Sequence, residues 1–285
     1  MRPGQSADVA EGADAVSPAE PEYSRAEIVL QVGVFVVAVY ICRLFFLLLI
    51  PSNDIVIRSA ITTFAGGAAA NVIMARVFGR GRLSDFGLGW DRQAARHLLI
   101  GLGAGGGGAA LMLGIPLAIG MATLENRPAT VEGNWIPALL LIVVLGFGSV
   151  GEELTFHGYA FQFLLRGMGV FATILPVSAL FGLMHMSNSN VTLHALVNTM
   201  LFGFLLGFAC WRSGALWLPV GIHFGWNLML PLFGTNLSGF TIGLTGYALR
   251  WNAGELWSGG EYGPEGGLLA TVAAVAVFLV VRRVR

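Results

Sequence analysis

Long apolar runs alternate with short polar breaks along this chain, and the length of the runs sets the expected architecture. The first, Ile28 to Ile50, is interrupted only by Gln31 and Arg43 and ends at Pro51-Ser52-Asn53-Asp54. A second covers about Ile55 to Phe78, with Arg58 near one end where it can snorkel to the interface. A third, about His97 to Ala122, contains the glycine-rich stretch Gly101 to Gly108, bare backbone that lets a neighbouring helix come close. The fourth runs from Trp135 to near Arg166-Gly167, the fifth from about Val170 to Met186, the sixth from Val191 to Trp211 and the seventh from Ala215 to Phe233. A glycine- and aromatic-rich loop, Gly234 to Gly266, leads to a short last run before Arg282, Arg283 and Arg285. A helical span takes ~20 apolar residues, so the pattern predicts an all-α, polytopic integral membrane protein of about eight transmembrane helices. It divides into a disordered tail (1–24), a first group of transmembrane helices (25–134), a core that holds the candidate chemistry (135–233), and an external loop with the last helix (234–285).

Composition agrees with that picture. The chain is 55% hydrophobic and only 11% charged, with a mean hydropathy of +0.74, far too apolar for a soluble domain of this length. The tail is rich in Ala, Pro, Glu, Asp and Ser, and lacks the basic start, apolar centre and cleavage site of a signal peptide. Formal charge is zero, and no basic run suggests nucleic-acid binding. All sixteen basic residues are arginine, which removes Schiff-base chemistry and Ser-Lys dyads. Arg76, Arg80, Arg82, Arg92 and Arg96 form the densest basic cluster, and the positive-inside rule puts their loop in the cytoplasm. Alternating sides then places both termini, Arg166 and Arg212 on the cytoplasmic face of the cell membrane. Cys42 and Cys210 stand alone in apolar runs and read as packing residues.

One polar feature does not suit a lipid environment. Glu152 and Glu153 are the only acidic residues between Gly133 and Gly254, and four of the five histidines (His157, His185, His194, His223) share that region. A carboxylate in hydrocarbon costs several kcal/mol unless it is neutralised, paired or hydrated. In a helix, residues four apart share a face while neighbours diverge by ~100°. Glu153 is therefore expected to face His157, with Ser149 one turn earlier as a further donor, while Glu152 enters a cavity. Gly146, Gly148 and Gly151 leave room for a close helix or a substrate backbone. By helix rise Glu152 lies ~20 Å from Arg166, within the bilayer. His185 follows Phe181 by four residues, and His223 and Asn227 share one helical face. A glutamate that activates water, with convergent donors for a tetrahedral oxyanion, is the minimum equipment for peptide hydrolysis without a covalent intermediate. The alternative is a zinc ion activating the water, with Glu152, His157, His185 and His223 as candidate ligands.

Glu-Glu-Leu-Thr-Phe-His-Gly-Tyr (152–159), Phe-x-x-x-His (181–185) and His-x-x-x-Asn (223–227), in that order on successive spans, resemble the CPBP (Abi) family of intramembrane proteases, which includes the type II CAAX prenyl endopeptidases and bacteriocin-immunity proteins. The resemblance covers about Ile136 to Asn227. It implies that Glu152 activates the water with help from His185, that His223 and Asn227 form the oxyanion hole, and that Glu153 supports. The family motif has Arg where this chain has His157, a residue that titrates near neutral pH and offers fewer donors. The implied substrate is a membrane-associated or lipid-modified polypeptide. Two other functions fit the same residues: a non-proteolytic immunity or scaffold protein of this fold, and a proton-coupled carrier using the glutamate pair. His194 and Asn198 repeat the third motif's spacing but read as a coincidence, His97 as an interfacial residue, and Arg43 and Arg58 as structural, although either can take the place of the motif arginine.

Overall fold

The computed structural model describes residues 23–79, 82–127 and 135–284. In chain order the helices are α1 (Arg25–Leu49), α2 (Ile55–Val77), α3 (Arg92–Ala118), α4 (Trp135–Phe156), α5 (Tyr159–Met168), α6 (Val170–Met184), α7 (Leu193–Ser213), α8 (Trp217–Leu232), the single-turn α9 (Glu255–Ser258) and α10 (Leu268–Val281). The protein is an all-α polytopic membrane protein. Five segments (α1, α2, α3, α4 with α5, and α7) are long and apolar enough to cross a bilayer. That measure stops short of the expected eight, because α6, α8 and α10 have only 15, 16 and 14 residues. The tail up to residue 22, Arg80 and residues 128–134 of the expected exit loop lie outside the described residues.

Local chemistry accounts for the helix ends. Ser24 and Glu27 form a capping box at α1; Asp54, Asp91 and Thr192 accept backbone N–H groups at the starts of α2, α3 and α7. Each such cap contributes about 1 kcal/mol. Gly214, left-handed, ends α7.

The fourth apolar run is not one helix, contrary to the sequence reading. It breaks at His157-Gly158, and Asn71 of α2 makes the break tenable. The Asn71 amide donates to the Leu154 carbonyl at 2.9 Å and to the Gly67 carbonyl at 2.8 Å, while its oxygen accepts from the Tyr159 N–H at 2.8 Å. One buried side chain thus satisfies the carbonyl stranded at the end of α4 and the amide stranded at the start of α5. Gly158 is required there, since a Cβ would lie 2.3 Å from the Leu154 carbonyl oxygen. Counting helix rise from Glu152 to Arg166 therefore does not give their separation. Arg166 instead donates to the Asp85 carbonyl at 2.6 Å.

Backbone-to-backbone packing holds α3 against α8. A Cβ at Gly105 would sit 2.0 Å from the Ile222 carbonyl oxygen, and one at Gly221 would sit 2.4 Å from that of Leu98. Gly151 of α4 packs similarly on α2, 2.5 Å from the Phe64 nitrogen by the same measure. His97, expected at the interface, is buried in α3 at 1% exposure.

The segments flanking the helices also carry structure that the apolar pattern did not predict. Ala122–Asn126 (β1) and Tyr247–Trp251 (β2) pair antiparallel, Ala122 opposite Trp251 and Asn126 opposite Tyr247. This ribbon ties the connection after α3 to the loop after α8, which folds back against the helices.

Candidate active site

Both glutamates lie in the last turns of α4, where neighbouring residues point ~100° apart. Glu153 is fully buried, and its two oxygens accept from two imidazoles: His157 Nδ1 at 2.7 Å from its own helix, and His223 Nδ1 at 2.7 Å from α8. One carboxylate therefore clamps the end of α4 to the helix that carries His223 and Asn227. Glu152 faces the other way, its side chain 32% exposed, into a cleft of about 710 Å³ that α1, α2, α4 and the loop after α8 border.

Three motifs meet at that cleft. Glu152 Oε2 lies 3.9 Å from His185 Nε2 and 3.8 Å from His223 Nε2. These gaps are too long for direct hydrogen bonds, which leaves Glu152 Oε2 a buried acceptor with no hydrogen-bond partner, the kind of atom that a water satisfies. His185, the residue closing α6, bonds through Nδ1 to the Phe181 carbonyl at 2.7 Å. That contact needs a proton on Nδ1, so the neutral ring turns an acceptor lone pair at Nε2 toward Glu152. His223 differs: with Nδ1 donating to Glu153, only the imidazolium form donates from Nε2 as well, and Glu153 supplies its counter-charge.

Asn227 also lines the cleft, one turn beyond His223. Its Nδ2 donates to Ser149 Oγ at 3.3 Å, and the Ser149 hydroxyl donates to the Leu145 carbonyl at 3.0 Å. Ser149 thus orients Asn227, which corrects the expectation that it donates toward the glutamates. Opposite the Glu153 contact, His157 turns Nε2 to where a Gly207 Cβ would lie, 3.4 Å away. It still engages Glu153 in the position where the family motif has arginine. His157 is therefore aimed away from Glu152 and does not join the other three candidate zinc ligands, Glu152, His185 and His223, which face one another. Among the described residues no group of three His, Cys, Asp or Glu side chains is arranged to hold a metal ion.

Some residues near the site were not singled out in the sequence. Glu265, in the loop before α10, is half-buried next to a chamber of about 30 Å³ that His185, His223 and Asn227 also line. Burial pushes its carboxyl above the ordinary value, against the pull of donors from Ser238 and Trp226. Asn198, read as a coincidence, borders the same chamber and donates to the carbonyls of Glu265 (2.8 Å) and Gly267 (2.9 Å). A carboxylate flanked by Gly263, Pro264, Gly266 and Gly267 was the one signal available. Arg43 lines the cleft, whereas Arg58 donates to the Leu47 carbonyl at 2.9 Å.

The site is thus that of a polytopic helical protein in which one cleft-facing glutamate meets two histidines and an asparagine. Residues 134–229 match the family described as Type II CAAX prenyl endopeptidase Rce1-like, a protease family, and the matched segment contains all three motifs. No curated protein matches the chain.

Proposed function

We propose that this protein is an intramembrane endopeptidase that hydrolyses a peptide bond of a membrane-associated or lipid-modified polypeptide, using water activated by Glu152. The observation that carries the proposal is the meeting of Glu152 Oε2, buried and without a hydrogen-bond partner, with the Nε2 atoms of His185 and His223 at 3.9 and 3.8 Å, at the wall of a cleft that the Glu152 side chain lines. A water between Glu152 and His185 donates one hydrogen to each, and its lone pair is left for the substrate carbonyl. As the water oxygen bonds to the carbonyl carbon, Glu152 takes its proton. The oxyanion that forms accepts from protonated His223 and from Asn227. Collapse breaks the C–N bond, and Glu152 returns the proton to the leaving amine. Glu153 fixes His223 throughout, and Ser149 fixes Asn227. No step is routed through zinc: of the candidate ligands His157 is turned to Glu153, and among the described residues no group of three His, Cys, Asp or Glu side chains is arranged to hold a metal ion. The Arg-rich loop around Arg82 and Arg92 and both termini are placed on the cytoplasmic side by the positive-inside rule.

The test is cleavage of a fluorogenic library of single-span peptides by reconstituted protein, with and without Glu152→Ala and a chelator. The proposal expects cleavage that is lost in the variant and survives the chelator. Equal cleavage by the variant, or none by either protein, overturns it, and the second outcome leaves the scaffold reading. Proton flux without cleavage would identify a carrier.

A further inference from the structure

The outer wall of the cleft comes from residues 237–242, beyond the segment that matches the family. Leu237 and Phe240 exchange backbone hydrogen bonds at 2.9 and 2.8 Å. Between them Ser238 and Gly239 both have positive φ, 49° and 87°, as a two-residue type I′ turn requires. For serine that conformation is unfavourable by itself, so the surroundings must impose it.

Glu265 imposes much of it. One of its oxygens accepts from the Ser238 N–H at 2.5 Å and the Ser238 hydroxyl at 3.1 Å. The other accepts from Trp226 Nε1 at 3.1 Å, the residue next to Asn227. The Ser238 carbonyl in turn accepts from the Asn188 amide at 3.1 Å, and Gly239 N–H donates to the Tyr262 carbonyl at 3.0 Å. A Cβ at Gly239 would lie 2.2 Å from the Ser189 carbonyl oxygen, so the tip is seated against the turn that follows His185. To the cleft this turn presents three apolar side chains, Leu237, Phe240 and Ile242, beside Ser238, whose hydroxyl is held by Glu265. Leu237 and Ile242 are anchored at 7% exposure in the core around Met112, Leu145 and Leu230.

We propose that the Leu237–Ile242 turn is a specificity wall that seats an apolar side chain of the polypeptide beside the scissile bond, and that Glu265 is the positioning residue that sets the wall. The inference rests on the peptidase reading for the identity of its ligand. Glu265 acts through Ser238 and Trp226. Removing its carboxylate takes the acceptor from half-buried Ser238 and buried Trp226 and frees the turn.

The experiment separates binding from cleavage. In a Glu152→Gln background, p-benzoylphenylalanine replaces Phe240, and reconstituted protein is irradiated with single-span peptides that differ at one residue (Leu, Phe, Ala, Ser or Asp). Crosslinking to the Leu and Phe peptides should exceed that to Ser and Asp by about tenfold, the scale of discrimination by an apolar pocket. Adding Glu265→Ala should bring that ratio close to one, and Glu265→Gln, which still accepts from Ser238, should keep part of it. Phe240→Ala in the otherwise unchanged protein leaves the contacts of Glu265 intact. It should raise KM for the preferred peptide about tenfold with kcat within about threefold. Equal crosslinking to all peptides, or a loss of kcat at constant KM, overturns the inference. Selective crosslinking without cleavage by the unsubstituted protein supports the wall and removes the peptidase reading; cleavage without selectivity does the reverse.

Discussion

The α3–α8 contact and the outer face of α1 obey opposite rules. Between α3 and α8, Gly101 and Gly105 meet Gly221 and Gly225 so closely that a Cβ at any of the four would fall 2.0 to 2.7 Å from a backbone oxygen of the partner helix. On α1 only Ile28 and Phe35 are buried, Leu48 is 79% exposed, and Gly33 has open space around it. The difference divides the labour of the site. Residues two apart on a helix point roughly 200° apart, so the glycines that lock α8 leave His223 on its other face, held in register for Glu153. Helix α1 borders the cleft and can be lined by lipid or by substrate.

The comparison breaks most completely at its tight side. Gly105→Leu should prevent α3 from docking, seen as loss of monodisperse protein in detergent, whereas Gly33→Leu on α1 should leave expression and thermal stability close to the original. If both variants behave alike, the two faces do not differ as described.

A smaller effect is expected where α2 joins the broken span. Asn71→Leu removes the partners of the Leu154 carbonyl and the Tyr159 N–H, which should cost about 2–4 kcal/mol for two buried groups left unpaired. Thermal unfolding in detergent measures it, and activity should fall along with stability.

Glu153→Gln tests the clamp from the catalytic side. Glutamine has one acceptor oxygen for two imidazoles and no counter-charge for His223, so kcat should fall about 100-fold or more with KM little changed, the size of losing one oxyanion donor. Smallest of all, Leu48→Ala on the outer face of α1 should shift stability by no more than about 0.5 kcal/mol.

These contrasts also explain what was legible in the sequence. Apolar run length placed α1, α2, α6, α7 and α8 within a few residues, because lipid demands continuous hydrophobic stretches and Asp54 and Thr192 mark where two of them begin. Spacing of four residues along α4 was enough to put Glu153 on His157, since that contact is local. The break at His157-Gly158 was hidden, because the apolar run continues through it and its cause, Asn71, lies more than eighty residues away in sequence. The ribbon and the Glu265 contacts were hidden for the same reason: both pair segments far apart in the chain. Hydropathy sees them only as polar loops. Ser149 was expected to donate to the glutamates, yet it donates to Leu145 and accepts from Asn227 of a different helix, a partner that spacing along one helix cannot supply.

The central claim is that a single carboxylate, Glu152, activates a water held with His185, while His223 serves the oxyanion. The most direct measurement is single-turnover cleavage of one membrane peptide by the unsubstituted protein and by Glu152→Gln, at equal reconstituted amounts and saturating peptide. The account predicts a rate at least about 1,000-fold lower in the variant with peptide binding retained, since the glutamine amide cannot take the water's proton. Equal rates in the two proteins would contradict it.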